Sequence, residues 1–394
     1  ANIDNQIRSW LSVSANISYS DNIGNTGIIS GTGANRGGVV LSVINTPTYA
    51  PIWDPEKPNQ YNKNFYGENL ARQKNNKNKE NRLIASGAAT ISFLPNLKLK
   101  SSIALDRRNG VSTTFLDPIS ATDGRNSFGT ASDNRNMNTV LVFDNILTYN
   151  TNIKKHGIDV MAGSSYTKSD YTNSWINGSH FRDDKIQTLN AANKISWDGT
   201  GTGASQWAIS SYFARVSYNY DSKYMLTMNM RADGSSKLHP DHRWGIFPSF
   251  SAAWRISSEK FMKDITWIDD LKLRGGWGQT GNQSGIGDYS YLQRYNINRI
   301  PWFEEGNDHA VPGISQANLR TSDLKWETTS QTNIGLDLTV LNNRLTFSMD
   351  YYYKKTTDML MNVSLPAGAA ATTSITRNEG EMTNKGFEFA INSH

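Results

Sequence analysis

Two closely spaced histidines form a candidate metal-binding pair. His239 and His242 flank Pro240 and Asp241 in a polar stretch, and such a pair could supply two ligands to a divalent metal. A complete site needs further ligands at compatible spacing, and the neighbouring sequence offers none. The chain also contains no cysteine, which excludes disulfides, zinc–cysteine sites and a thiol nucleophile. We interpret this segment as a polar loop tip and expect no metal and no cofactor.

Glycines and carboxylates give no catalytic motif. The glycine-rich run from Gly24 to Gly33 lacks the following helix that a dinucleotide fingerprint requires, so we expect a flexible loop. Scattered carboxylates occur at Asp117, Asp123, Asp183 and Asp184. Sequence spacing alone does not establish the fixed separation across a cleft that a glycosidase needs. We expect no catalytic residue and no enzyme activity; a surface hydrolase is the alternative that glycan cleavage would test.

Aromatic residues interleaved with Asn, Asp and Arg are more informative. They occur in long polar segments at Trp53, Tyr61, Phe65, Tyr66, Trp175, Phe181, Trp197, Trp302 and Phe303. Flat rings beside hydrogen-bonding groups suit sugars, which present both apolar and hydroxyl surfaces. The same rings could instead pack the loops together or against a partner protein, where aromatics also concentrate. The candidate substrate-binding residues are Trp53, Trp175, Trp302 and Phe303.

Apolar and polar residues alternate over many segments. Between Leu11 and Ser20, the odd positions are apolar and the even positions are Ser or Asn. Successive side chains of a strand point to opposite faces, so each segment has one apolar and one polar face. The alternation predicts about twelve strands, at 11–20, 82–93, 97–106, 138–149, 157–168, 209–220, 224–233, 246–256, 270–278, 327–340, 344–355 and 384–391.

Strand and connection lengths favour a membrane barrel. Most of these segments reach the length of about 9–11 residues that a tilted strand needs to cross a bilayer, whereas ordinary strands have about 5–6. Tight turns alternate with long polar connections, which are 21–81, 107–137, 169–208, 234–245, 279–326 and 357–383. Short periplasmic turns and long extracellular loops are typical of outer-membrane barrels. The sequence therefore predicts an all-β, antiparallel transmembrane β-barrel.

Composition excludes other classes. No apolar run of about 18 residues occurs, so a transmembrane helix is not expected. The net charge is only +5, from 40 basic and 35 acidic residues, without the concentrated basic face that nucleic-acid binding requires. The first residues have neither a basic start nor an apolar core, so we expect any export signal to lie upstream.

Several segments resemble the SusC/RagA family of TonB-linked outer-membrane transporters. They follow one another at family-like spacing and are Tyr218–Thr227, Arg231–Lys237, Arg243–Ile256, Leu271–Gln283, Leu324–Thr328 and Asn384–Glu388. The resemblance is specific from about residue 210 onward, whereas residues 1–209 agree only in their hairpin pattern. It implies a 22-stranded barrel in outer-membrane lipid, of which this chain supplies about twelve strands.

The resemblance also implies partners and cargo. A plug domain driven by TonB and a SusD-like surface lipoprotein are expected, with oligosaccharides as cargo and peptides as the family's other cargo. We expect residues 1–394 to be an internal barrel fragment, with the plug and both chain ends absent. Two alternatives stay open: a soluble β-rich carbohydrate-binding or adhesin protein, which would not pellet with outer membranes, and a passive porin, which would conduct ions in liposomes.

Overall fold

A computed structural model shows that the chain consists mainly of antiparallel strands. It describes residues 1–24, 44, 46–59, 62, 76–118, 127–196, 199–303, 310–366 and 373–393. The strands are β1 (Asn2–Arg8), β2 (Leu11–Gly24), β3 (Lys77–Leu94), β4 (Leu97–Leu116), β5 (Thr130–Ile153), β6 (His156–Ser179), β7 (Lys194–Ile195), β8 (Gly201–Tyr220), β9 (Tyr224–Ser235), β10 (Trp244–Arg255), β11 (Ile268–Asn282), β12 (Tyr295–Phe303), β13 (Ala310–Gln316), β14 (Glu327–Val340), β15 (Leu345–Ser364) and β16 (Ser374–Ser393). Short 3-10 helices lie at Leu189–Ala191, Pro240–His242, Ile256–Ser258 and Lys260–Met262.

One 14-stranded sheet contains every strand except β12 and β13, which form a separate hairpin. The sheet order follows the chain, β1-β2-β3-β4-β5-β6-β8-β9-β10-β11-β14-β15-β16, and β7 pairs with β6. Neighbouring strands joined directly along the chain must run antiparallel, as in the up-and-down wall of a barrel. All the strands predicted from alternation are present, and β1, β7, β12 and β13 are additional.

The strand register places apolar side chains of neighbouring strands together. Met228 of β9 lies opposite Val216 of β8 and Phe250 of β10, and each of the three is about half exposed. The adjacent Thr227 lies opposite Ser217 on the other face. We call the Met228 side the apolar face and the Thr227 side the polar face. Large apolar side chains are exposed along one whole face of the sheet, which indicates that this face contacts an apolar environment.

Turns at one end of the sheet contain residues with left-handed backbone. Asp221 and Ser222 join β8 to β9 with φ of 54° and 55°. Asn342 and Asn343, between β14 and β15, have φ of 58° and 61°, a conformation that Asn tolerates better than most residues. Leu341 also has a positive φ, 62°. We call this the short-turn end, and the opposite edge the long-loop end.

Several strands are longer than the alternation predicts. β5 and β6 have 24 residues each, and β8 begins at Gly201. Much of 107–137 and 169–208, predicted as loops, is therefore strand. Where a strand protrudes beyond a bilayer, both of its faces meet water, so its sequence loses the alternation that identifies a strand.

Helices contribute little to this fold. Among the described residues, no helix is long and apolar enough to span a membrane. The segment between β10 and β11 holds the 3-10 helices Ile256–Ser258 and Lys260–Met262.

Candidate functional site on the polar face

The polar face carries a charged network on β11, β14 and β15. Arg274 Nη2 donates to Asp350 Oδ2 at 2.6 Å, and its Nε donates to Asp337 Oδ2 at 3.1 Å. Lys272 Nζ lies 3.0 Å from Asp337 Oδ2, and Ser348 Oγ donates to Asp337 Oδ1 at 2.9 Å. Two cations thus face two carboxylates, which neutralises their charge and links three strands.

Ion pairs recur on the polar face. They are Arg82–Asp106 at 2.7 Å, Arg215–Asp159 at 3.3 Å, Arg231–Asp233 at 2.8 Å and Arg255–Asp270 at 2.7 Å. Each pair is partly exposed, so its charges keep contact with water while being neutralised locally. A wall of this kind presents a hydrated, electrically balanced surface to a polar solute, in contrast to the hydrocarbon-like opposite face.

A second region of the polar face lies near the long-loop end of β5 and β6. Three side chains of β5 lie opposite three of β6, in the rows Asn134–Trp175, Asn136–Asn173 and Asn138–Tyr171. We call these six residues the mouth surface. Residues two apart on a strand share a face, so the six side chains project from one side of the sheet. The pattern combines four amides with two aromatic rings.

Glycines flank the mouth surface and give its side chains room to lie across the sheet. The indole of Trp175 lies over Gly201 of β8, where an added Cβ would be 2.8 Å from Cζ2. The amide of Asn136 lies over Gly110 of β4, where the corresponding distance to Oδ1 is 2.8 Å. Asn173 lies over Gly203 in the same way. Small neighbours therefore determine how these side chains are presented.

Loops pack over the polar face at the long-loop end. Leu238, Phe247, Ile286, Leu324 and Trp326 form a buried cluster, which we call the rim cluster. It joins the β9–β10 connection, β10 and the β11–β14 connection. The Trp326 indole donates to the carbonyl of Arg243 at 3.0 Å, so its polar atom is satisfied within the packed loops.

The β11–β14 connection is also tied to β8. The backbone N–H of Gln206 donates to Tyr289 Oη at 2.9 Å. Lys237 Nζ lies 3.0 Å from Asp288 Oδ1 and 5.5 Å from the centre of the Trp207 ring. These contacts hold the first part of the β11–β14 connection against β8 and the β9–β10 connection.

The short-turn end has a compact polar clamp around Glu259. Its carboxylate accepts from Tyr224 Oη at 2.6 Å, from Trp254 Nε1 at 3.3 Å and from Lys223 Nζ at 3.3 Å. The hydrogen bond from Tyr224, assisted by those from Trp254 and Lys223, holds the pKa of Glu259 below its ordinary value despite desolvation. The clamp fixes the β10–β11 connection against the β8–β9 turn.

The sequence-predicted aromatic residues occupy separate places. Trp175 lies on the main sheet in the mouth surface rather than in a loop. Trp53 lies in the β2–β3 connection and is 47% exposed. Trp302 and Phe303 lie on β12, with their backbones opposite Val311 and Ala310. Trp302 and Phe303 therefore belong to the β12–β13 hairpin, apart from Trp175 in the sequence and in the sheet order. The amide neighbours of Trp175 could not be predicted from the sequence.

Phe181 is a packing residue. It is buried with Phe115 and Ala131, and its ring meets that of Phe115 edge to face at 5.1 Å. For this aromatic residue, loop packing is the interpretation that the structure supports. Other predicted features lie outside the described residues, namely Tyr61, Phe65, Tyr66, Asp123, Trp197 and residues 25–33 of the glycine-rich run.

His239 belongs to a network of loop contacts. Its Nδ1 lies 3.3 Å from Asp241 Oδ2, its Nε2 lies 3.4 Å from Arg320 Nη2, and its ring meets Tyr291 edge to face. In the part of the chain that the structure describes, no group of three or more His, Cys, Asp or Glu side chains could hold a metal ion.

An antiparallel sheet with an apolar face, an ion-paired polar face, short turns at one end and long loops at the other defines the wall of a transmembrane β-barrel. Residues 10–394 match the family model described as TonB dependent receptor-like, beta-barrel. The chain therefore belongs to the TonB-dependent receptor β-barrel family, whose SusC- and RagA-like members reside in the outer membrane.

Curated relatives resemble much of the chain. TonB-dependent receptor P39 of Formosa agariphila is 35% identical over 305 residues, which are 77% of this chain and 28% of that protein. TonB-dependent receptor SusC of Bacteroides thetaiotaomicron is 33% identical over 316 residues, 76% of this chain and 29% of that protein. The chain thus spans less than a third of either relative.

A solved structure shares the fold. A chain of the RagAB peptide transporter superposes with a TM-score of 0.84 at 24% identity, covering 100% of this chain and 43% of that chain. At this identity the likeness concerns the fold. It agrees with the SusC/RagA resemblance of the sequence segments described above.

Proposed function

We propose that this chain forms part of the barrel wall of a TonB-dependent importer that carries oligomeric nutrients, with glycans as its cargo. The observation that carries the proposal is the back-to-back arrangement of the two faces. The apolar face suits outer-membrane lipid, and the ion-paired polar face suits the hydrated path of a polar solute. Import then requires weak binding at several sites, so that cargo is captured and released inward.

The proposed partners lie outside this chain. Residues 1–394 would be a partial barrel domain, with the plug and the remaining strands in other parts of a longer receptor. The limited share of each relative that the chain covers supports this division. A SusD-like surface lipoprotein would cover the long-loop end, and TonB would act through the plug region. No cofactor and no nucleic acid enter this scheme.

Four aromatic residues are proposed as cargo contacts: Trp53, Trp175, Trp302 and Phe303. Their places in the connections or on the long-loop end of the sheet support a role in initial capture. The proposal involves no catalytic step. The relatives are named as receptors rather than enzymes, which supports transport without cleavage of the cargo.

Peptide import is the second candidate, favoured by the fold likeness to the RagAB peptide transporter. A passive porin is the third. The soluble alternative considered from the sequence is set aside, because the chain belongs to an outer-membrane barrel family.

Uptake measurements distinguish these candidates. Cells with and without the gene would be given fluorescent oligosaccharides and fluorescent peptides, in the presence and absence of an uncoupler. Gene-dependent, energy-dependent oligosaccharide uptake is expected. Uptake of peptides alone would replace the cargo assignment, and uptake insensitive to the uncoupler would favour a porin. Liposome conductance of the full-length protein provides a second check, since a plugged importer stays closed.

A further inference from the structure

We infer that the mouth surface is a carbohydrate-binding subsite for a linear, uncharged oligosaccharide segment. The inference rests on the proposed import function and names a place on the wall where cargo would bind. Its six residues, defined above, lie on the polar face of β5 and β6. Of the four aromatic candidates from sequence, Trp175 is the one that this surface includes.

The amides of the mouth surface are available to a ligand. Asn136 is exposed, and Asn134 and Asn173 are partly exposed. Within the described residues, the side-chain amides of these three have no hydrogen-bond partner. Each amide offers two donors and one acceptor oxygen. A sugar hydroxyl both donates and accepts, so it matches an amide without requiring a charged group.

The rings supply a complementary surface. The Trp175 indole lies over Gly201 and is partly exposed on the polar face. Tyr171 is 38% exposed on the same face. A sugar ring has an apolar C–H face that packs on an aromatic ring, while its hydroxyls reach the neighbouring amides. Aromatic surface with a few placed polar groups is the usual composition of a ligand site.

Charge and strand pairing argue for sugar rather than peptide. None of the six residues is ionisable except for the Tyr171 phenol. The adjacent Arg108 lies 3.6 Å from Asp106, which also pairs with Arg82 at 2.7 Å, so these three side chains leave one positive charge beside the uncharged surface. β5 and β6 are paired on both sides over these residues, and a peptide therefore finds no free strand edge to extend.

The dimensions suit an extended ligand. Successive rows are about 6.8 Å apart along the strands, because each residue rises about 3.4 Å. Three rows therefore extend about 14 Å along the strand direction, which points from the long-loop end into the barrel. A ligand aligned with the strands would contact Trp175 first, then Asn173 and Tyr171, along the path that import requires.

Binding by the full-length receptor in detergent tests the inference. Calorimetry would use neutral linear oligosaccharides of gluco, manno, galacto and xylo configuration, with a mixed-sequence peptide pool in parallel. We expect at least one oligosaccharide to bind, and Trp175→Ala and Asn173→Ala each to weaken binding about tenfold or more, equivalent to about 1.4 kcal/mol. Trp175→Phe, which keeps a ring, should lose less than Trp175→Ala.

Two glycine substitutions, neither of which removes a ligand-contacting group, provide a further test and its control. Gly203→Ala forces Asn173 to move, because the new Cβ would collide with the Asn173 amide, and should weaken binding like Asn173→Ala. Gly87→Ala has its nearest contact at 4.0 Å, to Ser14 O, and should leave affinity unchanged. Trp244→Ala removes an exposed indole from the apolar face and should also leave affinity unchanged.

The outcomes separate the subsite from the transport function. The inference is wrong if no oligosaccharide binds, or if Trp175→Ala and Asn173→Ala bind oligosaccharides like the wild type. It is also wrong if these substitutions weaken the binding of peptides only. Oligosaccharide binding that depends on Trp175, without uptake by cells, would contradict the import proposal and leave the subsite standing. Uptake that persists when Trp175→Ala and Asn173→Ala are combined would remove the subsite from the transport path.

Discussion

Arg274 of β11 and Asp350 of β15 form an ion pair across the strand that lies between them. The Nη2 to Oδ2 distance is 2.6 Å, and the contact crosses β14 at Gly335. A Cβ added at Gly335 would be 2.5 Å from Asp350 Oδ1 and 2.6 Å from Arg274 Cζ. Glycine is therefore required by the ion pair and not by an unusual φ.

Gly335→Ala should break this contact and lower the free energy of unfolding by about 1.5–3 kcal/mol, the range for a hydrogen bond to a charged group. Urea titration of the full-length protein in detergent measures the change. Gly275→Ala is the control, because its new Cβ would meet its nearest atom, Asn333 O, at an ordinary 3.7 Å. Equal effects of the two substitutions would contradict the steric explanation.

Met228→Arg should destabilise the barrel by about 2–4 kcal/mol, the cost of a basic side chain facing lipid near the bilayer midplane. Met228 is 53% exposed on the apolar face. The same measurement on Leu336→Arg should show a similar loss, since Leu336 lies on that face between Leu273 and Met349. Bilayer insertion, followed by heat-modifiable gel mobility, should fall in parallel.

Thr227→Arg is the matched control, because Thr227 is adjacent to Met228 but lies on the polar face. It should fold and insert like the wild type. If arginine is tolerated equally at Met228, Leu336 and Thr227, the assignment of the apolar face to lipid is wrong.

Ile286→Ala should loosen the β11–β14 connection. Ile286 is 2% exposed within the rim cluster, and truncating a buried isoleucine to alanine costs about 2–5 kcal/mol. The loss is expected to be local, so limited proteolysis near Ile286 should accelerate while the barrel stays folded. Leu292→Ala, at a position 44% exposed in the same connection, should change the cleavage rate little. Unchanged cleavage of Ile286→Ala would show that the rim cluster does not restrain this segment.

Acidification should weaken the Glu259 clamp. Because the folded-state pKa of Glu259 lies below its ordinary value of 4.5, its stabilising contribution is present above that value and is lost as pH falls through the depressed pKa. Glu259→Gln should remove this part of the pH dependence, and hydrogen exchange in the β10–β11 connection would report it. A profile unaltered by Glu259→Gln would disprove the clamp.

Local alternation in the sequence is enough to predict twelve of the strands, the two faces of each and the alternation of short and long connections. Each strand within the membrane meets lipid on one side and the polar interior on the other, which forces the period-two pattern seen at Leu11–Ser20. β1 was missed because its only strongly apolar residues are Ile3 and Ile7, separated by polar positions. The outer halves of β5 and β6 were missed because water on both faces removes the alternation.

Which side chains meet depends on how strands that are distant in the sequence pair. The sequence separates Asn134 from Trp175 by a whole hairpin, and Gly335 from Arg274 by a long loop, and neither relationship leaves a local pattern. Strand register places an amide opposite a ring and a glycine beneath an ion pair, because a shift of one residue would send each side chain to the other face. The strands of the wall could therefore be predicted from local alternation. The mouth surface and the charged network could not, because both are formed by residues that only strand pairing brings together.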